Sequence, residues 1–471
     1  MNENKDTQQH PKVEIAVKNF GPIAEANIDL RPLTVFVGPS NTGKTYFATL
    51  VYALHGVLAG FPRYPLLNHA LFSLPKAVFG SDSFDGVIET MDEVKKFNQL
   101  VEKIKIINKQ FKFLELPQDI REKVRSELKN LLVFEEELKR CFDLKSIAKL
   151  PRSDNGRYHR MDVSLSVSEA GQELWAVKMK NSGDSIIIND RVNENMVVNP
   201  VELIGPHAIR YLRRYYLPSS RSGIMQNHKI IASSSVALVS YPFMEGSSDI
   251  ATLSGGLADF LRLLILYEEP DTPNDELFTI AKLLETGVLA GDIVTKSSPS
   301  GHSEFLYRPQ GMEENILVSQ ASSMVSELAP LVLFLRSGIK PGDTLIIEEP
   351  EAHLHPGAQA DMAVILARLV RAGVKVIITT HSDWLLQEIS NLTLEGLLEE
   401  EADEPSSWLL PEEVGVWHFQ KDQPVKEIPF KPREGISPED YEDVAEGLYN
   451  RSVNLQQKLE KKKGKSERES V

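Results

Sequence analysis

The sequence predicts an α/β fold in which a mixed sheet is flanked by helices. A nearly continuous apolar run, Leu33–Val37, ends at a glycine-containing loop that an apolar-faced segment follows. Two more short apolar runs, Thr344–Ile347 and Val374–Thr380, are separated by the amphipathic segment Gly357–Val370. Continuous apolar runs are typical of strands buried on both faces, and the strand–helix–strand order indicates parallel β-α units.

The composition bounds the class of protein. The chain has 471 residues, enough for two or three lobes, and its net charge of −15 excludes a fold-wide basic surface while leaving room for local basic patches. Its single cysteine, Cys141, cannot form an intramolecular disulfide, and residues Met1–Lys12 lack the apolar core of a secretory signal. No apolar run is long enough to span a bilayer. We therefore expect a cytoplasmic protein that does not contact a membrane.

The first elements are predicted by alternation and turn residues. Val13–Asn19 and Ala24–Leu30 both alternate apolar and polar residues, and Phe20-Gly21-Pro22 turns the chain between them, which predicts a β-hairpin. Leu33–Val37 follows as a buried central strand. A helix is then expected from Gly43 to about residue 55.

The middle of the chain predicts a helical arm followed by a β-rich region. Residues Met91–Phe142 carry apolar positions at three- and four-residue steps amid many charges, which indicates either an inserted helical arm or two ordinary surface helices. Met161–Asn189 and Tyr211–Leu217 are strand-like. Ser233–Thr252 is interpreted as an irregular segment, and Asn274–Leu284 as a helix.

Towards the end of the chain, Ser322–Leu335 predicts a helix that Pro330 could kink. Leu397–Ser407 is expected to be an acidic loop, and the charged tail from Gln456 to be disordered. We divide the chain into five regions: the first part of a head (1–60), an insertion with the arm and strands (61–205), a segment returning to the head (206–310), the second part of the head (311–435), and a charged helix or tail (436–471).

The loop after the first apolar run matches the pattern G-x-x-x-x-G-K-[ST] at every defined position. Glycines let backbone N–H groups close around phosphate oxygens, and the following helix points its positive end at the same anion. A lysine then contacts the β- and γ-phosphates, and a hydroxyl ligates Mg²⁺. The sequence therefore predicts binding of ATP and Mg²⁺, with Lys44 as a catalytic cation, Thr45 as a metal ligand, and the nucleotide held by Gly38, Pro39, Ser40, Asn41, Thr42, Gly43, Lys44 and Thr45. A chance match is the alternative, and the strand and helix on either side argue against it.

Two acids, Glu348 and Glu349, end the apolar run that begins at Thr344. A P-loop site needs one carboxylate to hold Mg²⁺ through water and another to orient and deprotonate the attacking water. Glu348 suits the first role, as a metal ligand, and Glu349 suits the second, as the catalytic base. The alternative is a pair of solvated acids at a strand end. His381 ends the last apolar run and is a catalytic candidate that could contact the γ-phosphate, although a histidine there is often structural.

These motifs together carry a family resemblance. The P-loop, the run Ile346–Pro356 and Thr379–Ser382 resemble the ABC-type ATPase heads of the SMC/RecF class, and within it the OLD-like ATPases of bacteria and phage-defence loci. The resemblance covers about the first 55 residues and about Ser319–Ser390. It implies an ATP-hydrolysing P-loop ABC-type head in which Glu348 and Glu349 have the metal-holding and catalytic roles. Aspartate is usual at the first position, so Glu348 departs from the pattern.

A second resemblance concerns the signature that contacts ATP across a head dimer. Leu253–Leu257 reads LSGGL but lies far too early before Glu348, so we interpret it as an ordinary loop. Ser322–Glu327 lies at the family's spacing and opens a helix. A hydroxyl of Ser322 or Ser323 at a helix N-terminus could contact the γ-phosphate held by another subunit, which implies a homo-oligomer with ATP between heads. The alternative role of these serines is helix N-capping.

Two other clusters are weaker. His353 and His355 lie beside Glu351, but no distant cysteine or histidine completes a zinc pattern, and a loop that touches a partner subunit is favoured. Arg210–Tyr216 is the densest basic-aromatic segment and could contact DNA, although a structural role is favoured because alternation would split it between two faces. Arg221 is a secondary phosphate candidate by resemblance.

Three functions follow from the resemblance. The favoured one is the sensor or scaffold ATPase of an anti-phage defence system that acts with a separate effector protein. A DNA repair or DNA-processing ATPase of the RecF type is the alternative. A transporter ATPase is disfavoured by the irregular signature and the large insertion. A fused Toprim nuclease is not expected, because acids such as Glu439 and Asp443 lack its order.

Overall fold

The computed structural model of the chain describes sixteen stretches of residues, which are 11–58, 61, 111–116, 118, 121–122, 125, 131–154, 156–183, 185–198, 213–228, 253–270, 275–297, 303–398, 407–436, 449–453 and 455–456. Two larger sheets and eight helices account for most of them.

The described strands are, in chain order, β1 (Lys12–Phe20), β2 (Ile23–Leu30), β3 (Leu33–Val37), β4 (Phe111–Lys112), β5 (Ser153–Asp154), β6 (Arg157–Tyr158), β7 (Asp162–Glu169), β8 (Gln172–Ser182), β9 (Ser185–Val192), β10 (Val197–Val198), β11 (Arg214–Leu217), β12 (Gly291–Ser297), β13 (Ser303–Pro309), β14 (Ile316–Leu317), β15 (Thr344–Glu348), β16 (Lys375–Thr379), β17 (Val414–His418) and β18 (Lys426–Glu427).

The described α-helices are α1 (Lys44–Leu58), α2 (Leu131–Phe142), α3 (residues 221–228), α4 (Gly255–Ile265), α5 (Asp275–Leu283), α6 (Ser323–Ser337), α7 (Pro356–Arg371) and α8 (Asp383–Leu398). A π-helix, Leu284–Leu289, continues α5. Short 3₁₀ helices lie at Phe113–Glu115, Ile147–Lys149, Val318–Gln320 and Pro411–Glu413.

The larger sheet positions the functional motifs. Its strand order is β11-β15-β16-β3-β17-β18, and every pair is parallel except β17 with β18. In its register Glu348 lies beside Thr379, and Thr379 beside Phe36. Because the strands are parallel, the segments that follow these three residues meet at the same edge. The predicted parallel β-α units and the α/β fold around a P-loop are therefore confirmed.

The apolar runs are continuous because this sheet is buried on both faces. Val35, Ile347 and Ile378 belong to a core shared with α5–α8. Phe36 and Ile346 face a second core, which contains α1 and the antiparallel sheet. All five residues are at most 1% exposed. Alternation is lost in such strands, since neither face meets water.

The second sheet is antiparallel, with the order β2-β1-β7-β8-β9. The predicted hairpin forms its edge, where Val13 pairs with Leu30 and Phe20 with Ile23. Alternating burial along β1 and β7 places one face against α1 and α2 and leaves the other partly in solvent. The strands expected in residues 161–189 are thus confirmed as β7, β8 and β9.

Three sequence-based expectations need correction or qualification, and one hairpin was not anticipated. The segment interpreted as a loop at Leu253–Leu257 opens helix α4, because Gly255 and Gly256 let its first turn pack closely against Arg140 and Tyr216. Helix α8 extends to Leu398, into the predicted acidic loop. Helix α6 continues through Pro330. The hairpin β12–β13 was not expected from the sequence.

Some predictions fall outside the described residues: most of the helical arm before α2, the segment Ser233–Thr252, and the tail beyond residue 456. The five regional boundaries remain predictions. Among the residues that the structure describes, none belongs to a helix both long and apolar enough to cross a membrane.

Candidate functional site

The P-loop joins β3 to α1 and depends on two glycines. Gly38 has φ +127° and Gly43 φ +107°, conformations that residues with a Cβ rarely adopt. A Cβ on Gly38 would lie 2.1 Å from the carbonyl oxygen of Phe419, and one on Gly43 would lie 2.6 Å from Cγ1 of Ile23. Neither site can hold a side chain without displacing its neighbour. The loop therefore lies between Phe419, which follows β17 of the parallel sheet, and Ile23, in β2 of the antiparallel sheet.

Lys44 begins α1 and is 6% exposed. Its Nζ donates hydrogen bonds to the carbonyl oxygens of Gly38 at 2.7 Å and Pro39 at 2.8 Å. Burial lowers the pKa of Lys44 to about 8, against the opposing fields of Glu349 and Glu351. The ammonium therefore lies across the loop, where phosphate oxygens would bind.

The rest of the loop agrees with the predicted anion site. Asn41 has φ +62° and is exposed, while Thr42 donates its hydroxyl to the carbonyl of Pro39 at 2.8 Å. Thr45 is exposed in the first turn of α1. The loop is held by its own carbonyls and leaves Asn41 and Thr45 accessible.

Glu348 is the last residue of β15 and is 6% exposed. Its carboxylate accepts hydrogen bonds from the hydroxyl of Tyr216 and from the backbone N–H of Ser219, the latter at 3.1 Å. Tyr216 also lies 3.4 Å from the hydroxyl of Thr49, whose own bond to the carbonyl of Thr45 measures 2.9 Å. A short polar chain therefore links Glu348 to the predicted metal ligand on α1.

Glu349 has φ +46°, a left-handed conformation that is sparsely populated for residues other than glycine. Its N–H donates to the carbonyl of Thr379 at 2.9 Å, which fixes it to the neighbouring strand β16. Pro350 follows it. This conformation turns the chain sharply after β15. Such strained conformations are common at functional sites, where they hold one side chain in a fixed position.

His381 follows β16, and its backbone N–H donates to Oε1 of Glu351 at 2.7 Å. Burial lowers the pKa of its imidazole, and Lys44 adds to this effect while Glu349 opposes it. The ring is therefore neutral near pH 7. Because β3, β15 and β16 are parallel neighbours, the segments that carry Lys44, Glu349 and His381 leave the sheet at the same edge.

Arg221 has a different place from the one predicted. Its side chain is 1% exposed, and its guanidinium donates to four backbone carbonyls rather than facing a phosphate site. Two of those carbonyls belong to Glu348 and Glu349. The expectation of a phosphate ligand is therefore wrong for this conformation. Like Tyr216, Ser219 and Thr379, Arg221 reaches the site from a distant part of the sequence.

The remaining candidates lie as follows. Ser322 caps α6 by accepting from the N–H of Val325 at 3.4 Å, and Ser323 is exposed beside it. N-capping is therefore observed, and a contact with a second subunit remains a prediction. His355 caps α7 by accepting from Gly357 at 3.4 Å. Within the described ranges, no group of three or more histidine, cysteine or acidic side chains could hold a metal ion.

The basic-aromatic segment has the structural role that was favoured over residues 214–217. Tyr215 and Tyr216 are buried in β11. Arg214 pairs with Glu137, and its guanidinium lies 3.9 Å from the ring centroid of Tyr52. These three side chains face the interior and are not accessible to nucleic acid, whereas Arg213 is exposed.

A family model described as the AAA ATPase domain matches residues 261–386. The matched segment includes Ser322, Ser323, Glu348, Glu349 and His381, and the P-loop precedes it. The predicted ATPase is thereby supported at the level of an AAA-type domain, while the OLD-like branch remains a prediction. No curated protein matches the chain.

Among solved structures, the Smc head bound to the C-winged helix domain of ScpA is 12% identical, with a TM-score of 0.40 over 90% of this chain and 98% of that chain. The Pyrococcus furiosus Smc head with an extended coiled coil, bound to the C-terminal domain of ScpA, is 11% identical, with a TM-score of 0.40 over 89% and 97%. The Thermotoga maritima SMC head is 11% identical, with a TM-score of 0.35 over 90% and 100%.

Proposed function

We propose that this protein binds ATP at the Gly38–Thr45 loop and hydrolyses it. The observation that carries the proposal is the convergence of Lys44, Glu349 and His381 at the edge where β3, β15 and β16 end. The parallel strand order brings these three segments to one edge of the sheet, beside a glycine loop. A bound triphosphate would be a common ligand for the cation, the acid and the neutral imidazole that they carry.

The oxygen donors suit Mg²⁺, which prefers hard oxygen ligands and keeps several waters. Thr45 is exposed on the first turn of α1, and the carboxylate of Glu348 is oriented by Tyr216 and Ser219. Thr45 would ligate the ion directly and Glu348 through water, so Glu348's extra methylene is tolerated. When bound, Mg²⁺ would neutralise part of the negative charge of the phosphates. Glu349 then orients and deprotonates water, and the neutral His381 contacts the γ-phosphate.

The first test is Lys44→Ala. Removing the ammonium leaves phosphate charge without its main counter-charge in the loop, so we expect ATP binding to be lost, with a dissociation constant raised by about 100-fold or more. Titration calorimetry measures it. Lys340→Ala is the control, because Lys340 is exposed and precedes β15, at the edge of the parallel sheet opposite the loop. Normal ATP affinity in Lys44→Ala would refute the P-loop role.

The second test is Glu349→Gln, which keeps the side-chain shape and removes the base. We expect ATP affinity within about threefold of the wild type and a hydrolysis rate lower by roughly 10²-fold or more. Phosphate release under single-turnover conditions measures the chemical step. Glu412→Gln, on an exposed residue, is the control. An unchanged rate in Glu349→Gln would place the base elsewhere.

We further propose that two heads dimerise around ATP and that the dimer acts as the sensor or scaffold of an anti-phage defence system with a separate effector. The resemblance to OLD-like heads, the exposed Ser322 and Ser323 on α6, and the acidic net charge support this. Affinity purification of Glu349→Gln with ATP should retain the product of an adjacent gene. Hydrolysis stimulated by DNA, with no retained protein, would favour a RecF-type DNA-processing role instead.

A further inference from the structure

We propose that Arg221 is a positioning residue that fixes the backbone of Glu349 and couples it to helix α6. The inference rests on the proposed ATPase function and adds a residue that neither the sequence motifs nor the comparisons assign. Its guanidinium is 1% exposed and donates only to main-chain oxygens: Nη1 to Glu348 at 2.6 Å and Pro218 at 3.1 Å, Nη2 to Glu349 at 3.0 Å, and Nε to Glu327 at 3.1 Å.

The conformation of Glu349 explains why such a residue is needed. Its φ of +46° lies in the left-handed region, which a residue with a Cβ leaves unless its surroundings hold it there. Its N–H donates to Thr379, and its carbonyl accepts from the N–H of Ala352 at 3.0 Å and from Arg221. The Ala352 bond closes the local turn and moves with it, whereas Arg221 joins the carbonyls of Glu348 and Glu349 to other segments of the fold. Removing Arg221 therefore leaves the backbone of Glu349 tied to another segment only at its N–H, and the carboxylate that activates water is held less firmly.

The Nε of Arg221 contacts helix α6 through the carbonyl oxygen of Glu327. Glu327 lies one turn from the exposed N-terminus of α6, at Ser322 and Ser323, and its carboxylate is 1% exposed. It accepts from the N–H of Ser222 at 2.8 Å and lies 3.8 Å from Nε of Arg221. A shift of the α6 N-terminus therefore moves Arg221, and with it the carbonyl of Glu349. This gives a physical path by which a second subunit docking on Ser322–Ser323 would switch hydrolysis.

The competing explanation is that Arg221 serves only as the buried counter-ion of Glu327. The variants Arg221→Met and Arg221→Met/Glu327→Gln separate the two roles. The single variant leaves Glu327 buried without its cation, which destabilises the fold strongly. The double variant removes that unpaired charge, and glutamine keeps an oxygen for the N–H of Ser222. A counter-ion role predicts that the double variant recovers both melting temperature and kcat.

The positioning role predicts a different pattern. We expect the double variant to recover only the part of the melting temperature that the unpaired Glu327 costs, because four carbonyls still lack their donor. It should bind ATP within about threefold of wild type and keep a kcat at least about 30-fold lower. Arg221→Lys retains the charge but cannot reach carbonyls on three segments, so it should fold like the wild type and lose at least about tenfold in kcat. Wild-type kcat in the double variant or in Arg221→Lys would overturn the proposal.

Wild type and Glu349→Gln are measured alongside these variants. If the wild type hydrolyses no ATP, or if Glu349→Gln is as fast as the wild type, the proposed function fails and the Arg221 assignment falls with it. If the wild type hydrolyses ATP and Glu349→Gln is slow, but the Arg221 variants have the kcat of the wild type, the Arg221 assignment alone fails.

Discussion

The charge of Lys44 depends on its burial in the P-loop. Burial lowers its pKa to about 8, and only the protonated ammonium attracts phosphate. As the pH rises through 8, the nucleotide-free protein loses this charge, whereas below 8 the charge is retained. We expect the dissociation constant for ATP to be constant near pH 7 and to rise by up to about tenfold per pH unit above 8. Calorimetry at saturating Mg²⁺ across this range measures it, and a constant affinity up to about pH 9.5 would contradict the prediction.

Single residues also show what a sequence can reveal about a site. Lys44 could be predicted from the loop pattern after β3. Glu348, Glu349 and His381 could be predicted because they stand at the ends of apolar strands, and parallel strands end together. Their partners could not be predicted. Tyr216 is 132 residues from Glu348, and only the order of strands in the sheet makes them neighbours.

Arg221 was noticed in the sequence, but its role was misassigned. The identity of an arginine near a candidate phosphate site does not tell whether its side chain faces the ligand or is buried in the protein. Burial decides between the two roles, and burial depends on α6 and β15 packing over the side chain. Local sequence does not contain that information.

A buried ionic cluster connects four elements behind the P-loop helix. Glu137 on α2 accepts from Arg140 at 2.8 Å and from Arg214 on β11. Asp259 on α4 accepts from Arg140 at 2.8 Å and from Tyr52 on α1 at 2.7 Å. Helices α2 and α4 and strand β11 are thereby tied to the helix that carries Lys44. Residue 141, the chain's single cysteine, is buried in the same place.

This cluster gives a prediction about acid stability. Burial alone would raise the pKa of Glu137, but the guanidinium groups of Arg140 and Arg214 outweigh it and lower the pKa to about 2. A carboxylate with a depressed folded-state pKa stabilises the fold above its unfolded pKa and loses that effect as the pH falls. We expect Glu137→Gln to lower the free energy of unfolding at pH 7 by roughly 3 kcal/mol, with the difference shrinking between about pH 4.5 and pH 2.

Urea unfolding of the wild type and Glu137→Gln at several pH values measures this difference. Glu136→Gln is the matched control, since Glu136 lies on the same helix with a side chain 74% exposed. Its substitution should change stability by less than about 0.5 kcal/mol at any pH. Equal effects of the two substitutions would show that the cluster contributes no special stability.

For the molecule as a whole, the proposed dimer gives the clearest test. In Glu349→Gln, ATP stays bound, so we expect ATP and Mg²⁺ to double the molar mass measured by light scattering. Ser323 is exposed at the N-terminus of α6, and Ser323→Arg in the same background should block this increase by crowding the docking surface. Gln172→Arg, at the exposed first residue of β8, should not. A mass that ATP leaves unchanged in Glu349→Gln would contradict dimerisation.

The architecture could be predicted where the sequence of a strand reflects its burial. Continuous apolar runs predicted the strands that are buried on both faces, and apolar–polar alternation predicted the N-terminal hairpin. The helix at Gly255 was missed because two consecutive glycines favour loops, and only close packing against Tyr216 and Arg140 makes them useful in a helix. Strand β17 was missed because Val414–His418 carries glycine, tryptophan and histidine, although all five residues are buried beside β3.

That last strand has a consequence for how the protein is made. The N–H of Phe419 donates a hydrogen bond to the carbonyl oxygen of Val37, and the carbonyl oxygen of Phe419 occupies the space that a Cβ on Gly38 would need. One wall of the loop near the start of the chain therefore comes from a residue translated almost four hundred positions later. A nascent polypeptide emerging from the ribosome contains the lysine and the glycines long before residue 419 has been added. Products that end before that residue would lack this side of the loop, and we expect them not to bind nucleotide.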